Sequence, residues 1–338
     1  MSKKLIWRAI LTGALFLVIT TSVQAAETLK MSTIAPGSSA YLTMSTMATM
    51  INQAQDDLNI KVDATGAATK HQIDLAKGKI DLCMTSPVIY FLMKKQKAMY
   101  KKLSAAPKLA ENLRLLFWFP YGQYHFVTYA DAGIKELKDM KGKRVFLGPP
   151  GGGAWNASRE WVEATTGMKP NKDFDNVKGS WSSAFQGFQD RQFDVYVAGG
   201  VAPFPQVEQL ALTSKLHLLG LTKAAYEANP AAIKATTKPG REVGIIPTGI
   251  YGKGVDNSND VYTLGSIVGV SVNKDMDNDT AYKLTKLFWE QAKKSSKTHP
   301  WLKNLSLEYA VRNGGMQLHP GAAKYYEEQG IKIPAGSK

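Results

Sequence analysis

Two stretches of the chain combine residues that could hold an anion through backbone amides and hydroxyls alone. Ala35-Pro36-Gly37-Ser38-Ser39-Ala40-Tyr41 and Gly148-Pro149-Pro150-Gly151-Gly152-Gly153-Ala154-Trp155 each follow a short apolar run and open a segment of helical spacing. Glycine and serine at such a junction leave helix-start N–H groups available, and the helix dipole adds to their preference for negative charge. Neither stretch carries the further marks of a nucleotide site. A P-loop ends in Gly-Lys-Ser or Gly-Lys-Thr, whereas Gly153 is followed by Ala154, Trp155 and Asn156. A dinucleotide fingerprint needs an acidic residue about 20 positions on, closing a strand-helix-strand unit. Asp173 and Asp175 fall near that distance, but "KPNKDFDNVKG" reads as a turn with no second strand.

The same chemistry recurs at the other strand ends, so the expected ligand-binding set is Pro36, Gly37, Ser38, Ser39, Tyr41, Gly66, Thr69, Lys70, Ser86, Pro87, His125, Gly151, Gly152, Gly153, Ala154, Trp155, Gly199 and Gly200. Hydroxyls, bare amides and rings dominate it, and hydroxyls with helix-start amides coordinate a carboxylate without a paired cation. Neither glycine-rich turn contains an arginine, which leaves Lys70 as a supplementary cation. Helix capping accounts equally well for Ser38, Ser39 and Thr69, and a first-turn lysine commonly faces solvent.

Catalytic constellations are missing from the sequence. None of the five histidines, His71, His125, His217, His299 and His319, pairs with another at metal-ligand spacing, and no G-x-S-x-G elbow occurs. Cys83 is alone in the apolar run "KIDLCMTS", which excludes an internal disulfide and suits a small buried side chain. The reading is a binding protein without cofactor or metal. The alternatives are a ligand-binding module that feeds a sensor, or an enzyme whose acid pair converges only in the fold.

The elements that must position these residues alternate. Strands are expected over 28–34, 59–65, 80–86, 113–119 and 124–130, with "AYLTMSTMATMINQAQ", "AATKHQIDLAKGK" and "VIYFLMKKQKAMY" as intervening helices. Strand-helix alternation with short connections marks parallel α/β structure. A second series starts with the strand "RVFLG", its glycine-rich turn and the helix "AWNASREWVEATTG", continues through the strand 193–200, and repeats the design of the first. From about residue 224 the pattern loosens, before the apolar strand "LGSIVGVSVNK" and two amphipathic helices close the chain.

Residues 1–25 read as a secretory signal peptide. Lys3, Lys4 and Arg8 precede the apolar run "AILTGALFLVIT", and Val23-Gln24-Ala25 has the shape of a cleavage site. The run is shorter than a bilayer span, so a soluble periplasmic chain starting at Ala26 is expected. Removing residues 1–25 from 338 leaves 313, and takes away three basic and no acidic residues, which lowers the formal charge from +14 to +11. The lysines are scattered, with no basic cluster interleaved with aromatics, so nucleic acid is not expected as a partner.

Five blocks taken in order resemble the TAXI solute receptors, the extracytoplasmic substrate-binding components of one branch of tripartite ATP-independent periplasmic (TRAP) transporters. They are "LKMSTIAPGSSAY", "KGKIDLCMTSPVIYFL", "LKDMKGKRVFLGPPGGGAW", "FQDRQFDVYVAGGVAPFPQVEQLA" with "IIPTGIYGK", and "MQLHPGAAKYYEEQGIKIP". The resemblance implies a two-lobed periplasmic binding-protein fold of type II, with parallel-sheet lobes joined by crossing hinge strands. Lobe 1 would comprise 26–125 and 251–338, and lobe 2 would comprise 126–250. It further implies a monomer that closes on a small organic acid or acidic amino acid, such as a dicarboxylate like 2-oxoglutarate or glutamate, and hands it to a TRAP permease. Two departures bear on the ligand: Ile34-Ala35-Pro36-Gly37 replaces a Gly-Thr-Gly turn, and Lys70 and His71 replace an acid and an amide.

Overall fold

The computed structural model describes residues 26–36, 38–297, 302 and 305–338. The expected signal peptide and Gly37 lie outside the described residues. The first unit is β1 (Glu27–Ser32), α1 (Ser39–Ala54), β2 (Leu58–Asp63), α2 (Ala68–Ala76), β3 (Leu82–Thr85), α3 (Pro87–Lys94) and α4 (Ala106–Ala110). The second is β5 (Arg144–Phe146), α5 (Gly153–Thr166), β6 (Asp175–Asn176), α6 (Trp181–Gln189), β7 (Val195–Gly200) and α7 (Pro205–Ala211). β1 runs parallel to β2 and β3, and β5 runs parallel to β6 and β7. In both units the strand that precedes the first glycine-containing turn lies between the next two. The duplication expected from the sequence is therefore topological.

β6 corrects one expectation: Asp175 and Asn176 pair with Arg144 and Val145, so the turn-like stretch does contain a strand. Two residues are too few for side-chain alternation to register. A second correction concerns β4 (Leu113–Tyr129), one strand of 17 residues where two were expected. Pro120 and Gly122 look like a break in the sequence, but they mark an exchange of partners. β4 pairs with β10 (Val261–Asn273) through Pro120, and with β7 from Gln123 to Val127. β10 does the same, pairing with β9 (Arg241–Ile246) over Val261–Ser266 and with β3 over Gly269–Val272.

These two long antiparallel strands join the parallel triplets into a ten-stranded sheet of order β2-β1-β3-β10-β4-β7-β5-β6, with β8 (Leu216–Leu219) on β4 and β9 on β10. The lobes are thus mixed sheets, parallel at their outer strands. α8 (Lys223–Glu227), α9 (Pro230–Thr236) and β9 occupy the stretch where the sequence pattern loosens. α10 (Asn278–Ser295), α11 (Leu307–Ala310) and α12 (Pro320–Glu328) return to the first unit, where α10 packs on α12 and α1. Phe117 of β4 stacks on Phe288 of α10 with centroids 4.6 Å apart. A separate apolar cluster in the second unit centres on Phe146, Phe188 and Tyr196.

Cys83 is fully buried between Gln72 and Ser271, and burial pushes its thiol up to about 12. It packs as a small side chain. Among the described residues, no helix is long and apolar enough to cross a membrane.

Candidate functional site

A cleft of about 770 Å³ opens where four helices begin: α2 at Ala67–Thr69, α3 at Ser86–Ile89, α5 at Gly152–Ala154 and α6 at Ser180–Ser182. Each helix start presents N–H groups that no preceding turn can accept. Ser86 and Ser180 cap their own helices, accepting from the N–H of Ile89 and Ser183. α2 and α5 have no side-chain cap. In α5 the first intrahelical bond comes from the Asn156 N–H to the Gly152 carbonyl, so the amides of Gly153, Ala154 and Trp155 precede the hydrogen-bonded turns. The α5 start is the least satisfied of the four.

Arg241, the first residue of β9, is the one charged side chain among the described residues of the lining. Its side chain is 2% exposed, and Nη2 lies 3.5 Å from a Glu160 carboxylate oxygen. Nε and Nη1 are buried without a hydrogen-bond partner. Burial pushes the pKa of the guanidinium down from its ordinary value, yet arginine stays charged at neutral pH. Buried charged donors left without hydrogen bonds cost about 1–3 kcal/mol each or more, and a bound anion would offset that cost. The turn before it fixes its place. Gly240 has φ +76°, and a Cβ there would lie 2.4 Å from Pro87 Cβ at the start of α3, so only glycine permits both the conformation and the approach.

The remaining lining is largely apolar, with Ile34, Met84, Ile89, Trp181, Ile267 and Val268 prominent. The Tyr121 and Tyr124 rings and Ser266 add polar tips, and the Ser266 hydroxyl donates to the Tyr124 oxygen at 3.5 Å.

Of the residues expected from sequence, Pro36, Gly66, Thr69, Ser86, Gly152, Gly153 and Ala154 line this cleft. Ten others do not. Ser38 caps α1, accepting from the Tyr41 N–H at 3.1 Å, and its hydroxyl donates to the Ala35 carbonyl. Tyr41 enters only through that amide. Ser39 Oγ accepts from the Val201 N–H at 3.1 Å, tying the start of α1 to the loop after β7. Lys70 is exposed on α2, as a first-turn lysine commonly is, and Pro87 is buried beneath Gly240.

Gly151 stands one residue outside the lining, nearest the Met99 side chain. The Trp155 indole turns away to donate to Asn176 Oδ1 at 3.1 Å. Gly199 and Gly200 lie under the Tyr121 and Phe204 rings, so their missing side chains make room for aromatic packing. His125 is fully buried. Its Nδ1–H donates to the Gln123 carbonyl, and Nε2 accepts from the Tyr251 hydroxyl at 2.7 Å, whose oxygen accepts from the Phe204 N–H. Burial pushes its pKa down to about 4.

His71 is likewise buried, and its Nε2–H donates to the Thr65 carbonyl at 2.7 Å, holding the Thr65–Gly66 loop onto α2. Sequence reasoning missed Arg241, Tyr121, Tyr124, Trp181, Ser266 and the Ser180–Ser182 turn. Only the arginine after Lys238-Pro239-Gly240, followed by Glu242 and the apolar "VGII", gave any signal.

Duplicated 2-1-3 triplets joined by two crossing strands, with helix starts facing one cleft, define the two-lobed α/β fold of periplasmic binding proteins. The chain belongs to the NMT1-like family, whose model matches residues 31–330. Among solved structures it is similar to a protein from Bordetella bronchiseptica RB50, at 12% identity and a TM-score of 0.50, over 90% of this chain and 83% of that one. It also aligns with an alkanesulfonate-binding protein from Xanthomonas axonopodis pv. citri bound to MOPS, at 15% identity and TM-score 0.48, over 90% and 85%. A third match is a TRAP periplasmic solute-binding protein from Sulfitobacter sp. NAS-14.1 with bound β-D-galacturonate, at 10% identity and TM-score 0.48, over 91% and 88%. At these identities the likeness concerns the fold.

Proposed function

We propose that this chain is an extracytoplasmic solute receptor that encloses a small anionic solute between its lobes and delivers it to a TRAP-type membrane permease. The observation that carries the reading is the buried guanidinium of Arg241, with two nitrogens unpartnered, in a cleft that also receives the uncapped start of α5. Fixed N–H dipoles and one desolvated cation form a site for a carboxylate, sulfonate or phosphate head. The signal-like N-terminus and the five blocks resembling TAXI receptors support a periplasmic setting and the TRAP branch.

The lobes, 26–125 with 251–338 and 126–250, would divide near the partner exchanges of β4 and β10 and close by rotation about those strands. Among the described residues, no group of three or more His, Cys, Asp or Glu is placed to hold a metal ion.

The test is a thermal-shift screen of organic anions, each paired with its neutral amide, on the dialysed chain. Acids should raise Tm where the amides do not, and scattering should show contraction on binding. Equal shifts from both partners of every pair would refute the anion reading.

A further inference from the structure

We infer that the solute is a monoanion with an apolar body, and neither an amino acid nor a dicarboxylate. This rests on the anion reading above and narrows it. Among the described residues lining the cleft, Arg241 is the only ionisable side chain other than tyrosine, and no aspartate, glutamate, lysine or histidine accompanies it.

An amino acid would bring an ammonium group into the same enclosure. With no carboxylate to receive it, that group would lose its water at a cost of several kcal/mol. Glu160 does not serve, since it stands outside the lining and already holds Lys238 at 2.8 Å and Arg241 at 3.5 Å. Glu242 is likewise outside and is taken by Arg312 at 3.0 Å.

A dicarboxylate would bring a second full charge against one cation. The starts of α3 and α6 are capped by Ser86 and Ser180, and the Lys70 N–H in α2 is bonded to the Ala67 carbonyl. The largest remaining contribution, at the uncapped α5 start, is a partial charge of about half an elementary charge, less than a second carboxylate carries. Lysines that could compensate lie elsewhere, Lys70 on the exposed side of α2 and Lys238 on Glu160.

The volume points the same way. A cleft of 770 Å³ far exceeds what one anionic head fills. Beyond Arg241 it is walled by Ile34, Met84, Ile89, Trp181, Ile267 and Val268. Burying apolar surface against such walls contributes about 25 cal/mol per Å², a gain that a short polar diacid cannot collect.

Isothermal titration of the dialysed, processed chain decides the matter. The panel is phenylacetate and 4-methylpentanoate, their amides, glutarate, 2-oxoglutarate and L-glutamate. Both apolar monoanions are expected to bind at least about tenfold more tightly than the diacids and glutamate, and their amides at least about tenfold more weakly than the acids. If glutarate, 2-oxoglutarate or L-glutamate binds most tightly, the inference is overturned while the anion reading stands. If the amides bind as well as the acids, the anion reading itself fails. Absence of binding by both apolar monoanions also overturns the inference.

Discussion

The chain enters α1 and α5 by the same device, an apolar strand, a proline in the turn and small residues at the helix start, and the two starts end in opposite states. At α1, Ser38 takes the Tyr41 N–H and Ser39 takes the Val201 N–H from the loop after β7. At α5, Gly152 supplies no side chain, and the first amides line a cleft with Arg241. A serine at the N-cap satisfies the helix internally, and a glycine leaves the same groups for a ligand. The two turns resemble each other in sequence, and one residue type separates a capped helix from an open one.

The largest effect should come from removing the cation that faces the open start. Arg241→Gln is expected to weaken binding of the best anion by roughly a hundredfold or more, as loss of one partner of a buried charge pair does. Arg241→Lys should recover only part, because one ammonium cannot reproduce the fork. Titration calorimetry reads both, and unchanged affinity in Arg241→Gln would place the anion elsewhere.

Gly153→Val tests the open start itself. A Cβ at Gly153 already lies 3.0 Å from Ile89 Cγ1, so a branched side chain must fill the cleft mouth, and affinity should fall by roughly tenfold or more. Near-native Kd with a normal Tm would show that α5 is a bystander.

The α1 side depends on a network that acid should loosen. The Val201–Phe204 segment that meets Ser39 is held through Tyr251 to His125. The folded pKa of His125, about 4, lies below its ordinary 6.5, so the unfolded chain binds more protons between these values. The stability involved is fully present above pH 6.5 and is lost as pH falls toward 4, amounting to ~3 kcal/mol. His71 and His319 are shifted in the same direction by burial. Urea unfolding between pH 7 and 4 should show this loss, and His125→Gln should flatten it; an identical slope in the variant would contradict the assignment.

The smallest effects belong to the capped start. Ser38→Ala should cost about 1 kcal/mol of stability, the usual loss of an N-cap, and leave Kd within a factor of about two. A tenfold loss of affinity would return the α1 turn to the site.

How far the sequence spoke depended on how local each feature is. β1, α1, β2 and α2 were legible because strand-helix alternation, and for α1 the N-cap Ser38, are written in neighbouring residues. The continuity of β4 was not, since Pro120 and Gly122 break local propensity while β10 and β7 supply partners from afar. The Gly152–Ala154 turn could be placed because a strand-to-helix junction constrains it locally. Arg241 could not, because its burial depends on Gly240 meeting Pro87 and on Glu160 from α5, contacts that close only in the folded chain. The same distance explains Ser39 and His125, whose hydrogen-bond partners Val201 and Tyr251 lie far along the sequence.

A crystal structure of the chain with the tightest-binding anion of the panel tests the central claim most directly. The account predicts the anionic head about 3 Å from an Arg241 nitrogen, within hydrogen-bond reach of the first amides of α5, with the Ser38 and Ser39 bonds intact. An anionic head bound at the Ser38–Ser39 turn, or no contact between the anion and Arg241 in the complex, would contradict it.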